Sequence, residues 1–86
     1  MKLHELLFSN LGETLIKEST LMRIRIPDDT GRGIESDGFQ TVAVGSYWAP
    51  QMRKYYNSYV IGFNISFAND IIAVRIAWDP EVNYDF

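Results

Sequence analysis

Tyr59, Ile61, Phe63, Ile65 and Phe67 alternate with Ser58, Val60, Gly62, Asn64 and Ser66, and this period of two constrains the fold more than any other stretch of the chain. Successive side chains of a strand point to opposite faces, so such a run is a strand with one buried face. A second run follows, with Ile72, Val74, Ile76 and Trp78 on one parity and Ala73, Arg75 and Ala77 on the other. A two-residue turn at Asn69 and Asp70 predicts a hairpin that sets Phe67 against Ile72, Ile65 against Val74, Phe63 against Ile76 and Ile61 against Trp78. Apart from Val60 and Ile71, every large apolar residue of the hairpin then shares one face.

The remaining segments read less cleanly. Leu3, Leu7, Leu11 and Leu15 recur every four residues, which predicts a helix over residues 2–18 with an apolar stripe. Gly12 weakens it, and Asn10 followed by Glu13 has the spacing of a capping box, so two short helices broken near Ser9 and Asn10 are the alternative. Met22, Ile24 and Ile26 alternate with Arg23 and Arg25 in a first strand that Pro27 ends, and the two arginines are expected to face solvent. Pro27 to Gly38 is an acidic, glycine-bearing loop, Phe39 to Ser46 a second strand, and Tyr47 to Asn57 a connector in which Pro50 can open a short helix. Asp79 and Pro80 stop the last strand ahead of an acidic tail, Glu81 to Phe86.

The order helix, strand, loop, strand, connector, strand, strand predicts an α+β fold in which an N-terminal helix packs on one face of a four-stranded, mainly antiparallel sheet ending in a β-hairpin. With 86 residues, residues 1–86 form one domain with a small core. Absence of cysteine excludes a disulfide framework, a thiol nucleophile and thiolate metal sites. His4, Glu5, Ser9 and Asn10 interrupt the N-terminal apolar residues, and no run approaches the roughly 18 apolar residues of a membrane helix, so a soluble, cytoplasmic protein is the expectation. The net charge of −3 argues against a nucleic-acid partner held by phosphate neutralisation.

Catalytic groups are sparse. His4 is the single histidine, and the loop carboxylates Asp28, Asp29, Glu35 and Asp37 lack the spacing of a calcium loop, so neither a metal site nor a catalytic constellation is expected. Gly31, Arg32 and Gly33 lack the lysine and following Ser or Thr of a phosphate loop, and no cofactor is called for. Two surfaces carry binding chemistry instead. The connector gathers Tyr47, Trp48, Arg53, Lys54, Tyr55 and Tyr56, residue types that anchor protein interfaces and can stack a base; the core edge is its structural alternative. The non-core face of the hairpin, with Asn64 and Arg75 among short side chains, is the second, with burial under the connector as its alternative. The tail, with Tyr84 and Phe86 among acids, is a third.

The expected function is therefore a small non-enzymatic interaction protein that binds and inhibits or modulates a larger protein partner. In size and plainness the chain is similar to the accessory proteins that phages and mobile elements encode to block a host factor. The alternative is a protein that binds a nucleotide or another small anionic ligand, by self-association into an oligomer with a pocket between subunits.

Overall fold

A computed structural model describes residues 1–9, 16–17, 19–28, 38–66 and 68–79. Its elements are α1 (Leu3–Leu7), β1 (Leu21–Pro27), β2 (Phe39–Gly45), a 3₁₀ helix (Pro50–Tyr55), β3 (Val60–Ser66) and β4 (Ile71–Ile76). The four strands form one mixed sheet in the order β2-β1-β4-β3, an α+β arrangement with short helical pieces on the sheet. The outer pairs β1/β2 and β3/β4 are antiparallel, whereas the central pair β1/β4 is parallel. The first two strands therefore neighbour each other and lie together on the β4 side of the C-terminal hairpin. Setting the last strand beside the first forces the link from β2 to β3 to cross from one sheet edge to the other, as parallel topology requires a crossover.

That crossover and α1 lie on the same side of the sheet. Alternation in β1 and β4 buries Met22, Ile24, Ile26, Ile72, Val74 and Ile76, and Leu3, Leu6, Leu7, Ile16, Met52, Tyr55 and Tyr56 complete this core. Pro50 stands in the first turn of the 3₁₀ helix, where its missing N–H removes no helical bond. The N-terminal strand-like segment is tied to the start of β3: Leu3 N–H donates to the Ser58 carbonyl at 2.9 Å, and Val60 N–H to that of Met1 at 2.8 Å. His4 N–H similarly reaches the Tyr56 carbonyl at 2.9 Å, so α1 is fixed to the connector by backbone bonds as well as by its leucines.

The helix is much shorter than the leucine spacing predicts. It ends at Leu7, after five residues, and residues 10–15 and 18 of the expected helix lie outside the described residues. Phe8 closes it with a non-helical backbone, φ −103° and ψ 10°, and Ser9 Oγ donates to the Leu6 carbonyl at 2.9 Å. At the other end Lys2 N–H donates to Glu5 Oε1 at 3.0 Å, and this bond holds the Glu5 carboxyl below the usual carboxylate range.

The hairpin register also differs from the expectation. Ile65 stands opposite Ile72 and Phe63 opposite Val74, a slide of two residues relative to a turn at Asn69 and Asp70 alone. A two-residue type I′ turn needs positive φ at both central positions, and only Asp70, at φ 55, adopts it among the described residues of this turn. Asp70 is held by the entry to β1 instead. Its carboxylate accepts from Ser19 Oγ at 2.8 Å and Thr20 Oγ1 at 3.2 Å, while its carbonyl accepts from Leu21 N–H at 2.9 Å. The hairpin turn thus doubles as a clamp that starts the parallel β1/β4 pair.

A second departure is the bulge at Ile61. Val60 pairs with Ile76 and Gly62 with Arg75, so the extra residue reverses the parity of everything before it. Val60 packs against the core, whereas Tyr59 and Ile61, expected on the core face, are 59% and 53% exposed. Ser58, expected on the wet face, is fully buried. Phe63 keeps its parity, opposite buried Val74, but is 46% exposed on the outermost strand of the sheet. Phe67 lies outside the described residues.

Candidate functional site

The two surfaces singled out from the sequence occupy opposite sides of the sheet. On the core side, the connector is largely structural. Tyr55 and Tyr56 are buried and Tyr47 is half-buried. Tyr56 Oη donates to the Tyr47 carbonyl at 2.6 Å, and burial raises the Tyr56 phenol above its ordinary pKa. Phe8 meets the rings of Tyr56 and Tyr47 edge-on at 5.7 and 6.3 Å, and Trp78 meets Tyr55 in the same way at 5.3 Å. These edge-to-face contacts close the end of the core. Of the six connector residues singled out from the sequence, Trp48, 60% exposed, and the exposed Arg53 and Lys54 turn outward. Lys54 Nζ lies 5.2 Å from the centroid of the Tyr55 ring.

The other face of the sheet is not covered by the connector. Pairing defines it row by row, since directly paired residues share a face. One row runs Thr41, Arg25, Arg75, Gly62; the next runs Val44, Arg23, Ala73, Asn64; a third holds Leu21, Ile71 and Ser66. Asn64 and Arg75 are therefore on one face, as expected, but Asn64 faces Ala73 and Arg75 faces Gly62. The parallel β1/β4 pair adds Arg23 and Arg25 beside them.

These rows enclose a cavity of about 480 Å³ lined by Arg23, Arg25, Phe63, Asn64, Ala73 and Arg75. Arg75 is set in place from both sides. Its Cζ lies 5.5 Å from the centroid of the Phe39 ring, a cation–π contact. On the β3 side, a Cβ at Gly62 would come within 2.6 Å of Arg75 Nη2, so the missing side chain is what lets the guanidinium lie across the strand. Arg25 Nη2 is 3.4 Å from the Phe39 carbonyl. Phe39 thus contacts one arginine through its ring and another through its backbone.

Three of the eight basic residues of an acidic chain meet in this one cavity. Arg25 and Arg75 are direct cross-strand neighbours, and like charges so placed are destabilising. No carboxylate lines the cavity among the described residues. The arrangement presents forked N–H donors and an Asn64 amide toward one space, the donor set that pairs with phosphate or carboxylate oxygens.

A smaller cavity of about 260 Å³ adjoins it and shares Arg23, Asn64 and Ala73, with Ser66, Asn69 and Ile71 on its far side. Of the other sequence candidates, Asp28 is buried beyond β1, with its N–H on the Gly38 carbonyl at 3.1 Å, and His4 belongs to α1. Asp29, Glu35, Asp37, the Gly31 to Gly33 segment and the tail from Pro80 to Phe86 lie outside the described residues. Arg23 and Arg25 were legible only as solvent-facing strand residues. Their alternation placed them on a non-core face, but nothing local to β1 announces that β4 is its neighbour.

No protein-family model, curated protein or solved structure matches this chain. No helix among the described residues is long and apolar enough to cross a membrane.

Proposed function

We propose that this protein is a non-enzymatic binding protein that holds a small anion against the face of its sheet opposite the core. The observation that carries this reading is the convergence of Arg23, Arg25, Arg75 and Asn64 on one cavity of about 480 Å³. A bound anion would accept charge-assisted hydrogen bonds from several guanidinium groups at once, and these are stronger than hydrogen bonds between neutral groups. One chain supplies the cavity, from β1, β3 and β4, so the reading requires no second copy.

Calorimetric titration with pyrophosphate tests it. Saturable binding is expected, weakening as salt is raised because partly exposed ion pairs are screened. At 100 times the dissociation constant, pyrophosphate should stabilise the fold by about 2.7 kcal/mol, read as a rise in melting temperature. Neither heat nor a melting shift at millimolar pyrophosphate would remove the proposal.

A second reading, inhibition or modulation of a larger protein, is favoured by one observation. Trp48, Arg53 and Lys54 are all exposed on the connector, and Trp and Arg are common anchors of protein interfaces. That surface is on the other side of the sheet from the arginine cavity, so the two readings concern different residues.

A further inference from the structure

We infer that the ligand of the arginine face is a nucleoside phosphate, with its phosphate among the arginines and its base in the adjoining cavity. This rests on the anion-binding reading and specifies it. The two cavities share Arg23, Asn64 and Ala73, so they form one continuous groove of two different chemistries. The first is cationic. The second is lined by the amide of Asn69, the hydroxyl of Ser66 and the aliphatic side chain of Ile71.

Those neighbours suit a nucleobase. Asn69 Nδ2 donates to Ser66 Oγ at 3.2 Å, so a hydrogen-bonding amide and hydroxyl already meet at the cavity. Between them they offer donors and acceptors to the polar edge of a ring. An aliphatic anion would desolvate the same groups without replacing their water bonds, which is unfavourable. Inorganic phosphate would engage only the arginine end. Arg23 lines both cavities, and a guanidinium plane can stack on a base while its charge faces the phosphate. Adjacent rows of one face are two residues apart along a strand, about 7 Å, a separation that a ribose bridges.

The test is calorimetry with pyrophosphate, ribose 5-phosphate and the four common ribonucleoside 5′-monophosphates. At least one monophosphate is expected to bind about tenfold tighter than ribose 5-phosphate, the gain from a few base-directed hydrogen bonds. The double substitution Ser66→Ala with Asn69→Ala should erase that preference while leaving ribose 5-phosphate affinity and the melting temperature of the free protein close to wild type. Monophosphates that bind no tighter than ribose 5-phosphate would overturn the inference while the anion-binding reading stands. A preference that survives the double substitution would overturn it as well, by placing the base elsewhere. Absence of binding by every phosphate compound, pyrophosphate included, would overturn both. The comparison of ligands on the unsubstituted protein decides the matter even where a variant folds poorly.

Discussion

Arg75→Ala is expected to weaken pyrophosphate binding by about 10- to 100-fold, since a hydrogen bond to a charged group is worth about 1.5–3 kcal/mol. The fold should survive, because the guanidinium lies on the uncovered face and the Arg75 backbone keeps its pairs with Arg25 and Gly62. Removing one of two like charges at the Arg25 and Arg75 pair should leave stability unchanged or slightly raised. Gly62→Ala sharpens the result. Gly62 has no left-handed φ, and the atom that a new Cβ meets is the far end of a flexible side chain. Glycine inside a strand is entropically costly, by roughly 0.5–1 kcal/mol against alanine, so this variant should melt at or above the wild-type temperature. It should nevertheless bind pyrophosphate more weakly, because the Arg75 guanidinium must leave its seat across β3. Calorimetry and melting of both variants check the pair. Full affinity in Arg75→Ala would show that the arginine cavity is not the site.

Ile24→Ala is expected to destabilise the fold by about 2–5 kcal/mol through lost burial and a residual cavity. Ile24 is fully buried on the central strand β1 and is paired in parallel register with the equally buried Val74. A domain of this size holds a total stability of only about 4–13 kcal/mol, so the loss is a large fraction of it. Each kcal/mol lowers the melting point by about 4–8 °C in a domain of this length, giving a fall of about 8–40 °C. Urea unfolding should show a lower midpoint with an unchanged slope. Val44→Ala, at an exposed position of β2 on the uncovered face, should stay within about 0.5 kcal/mol of wild type. Equal effects at the two positions would contradict the assignment of faces and the central place of β1.

These faces were partly legible in the sequence. The alternation of Met22, Ile24 and Ile26 with Arg23 and Arg25, and of Ile72, Val74 and Ile76 with Ala73 and Arg75, assigns each strand its buried side without any knowledge of strand order. Asn64 and Arg75 were recognisable as residues of a non-core face for the same reason. What the alternation does not encode is pairing between distant strands. The parallel contact of β1 with β4 depends on the Asp70 clamp to Ser19, Thr20 and Leu21, a set of bonds spanning about half the chain. Without it, Arg23 and Arg25 read as isolated solvated charges and the cavity is invisible.

Local backbone irregularity hid the rest. Val60 interrupts an otherwise regular apolar parity, and the structure answers this with a bulge at Ile61 that turns Val60 inward and Tyr59 outward. A single inserted residue reverses every side chain beyond it, which a strictly periodic reading cannot follow. The connector is a different case. Its composition suits an interface, but Tyr55 and Tyr56 are the side chains that reach across the crossover to fill the core. Leu3 and Leu7 were read on the correct stripe, but α1 ends at Leu7, short of the leucine spacing.

Backbone amide mapping by heteronuclear NMR during a pyrophosphate titration tests the central claim most directly. The account predicts that the largest shifts fall on Arg23, Arg25, Gly62, Asn64, Ala73 and Arg75, with the connector amides around Trp48, Arg53 and Lys54 unmoved. Shifts confined to the connector, or none at millimolar pyrophosphate, would contradict it.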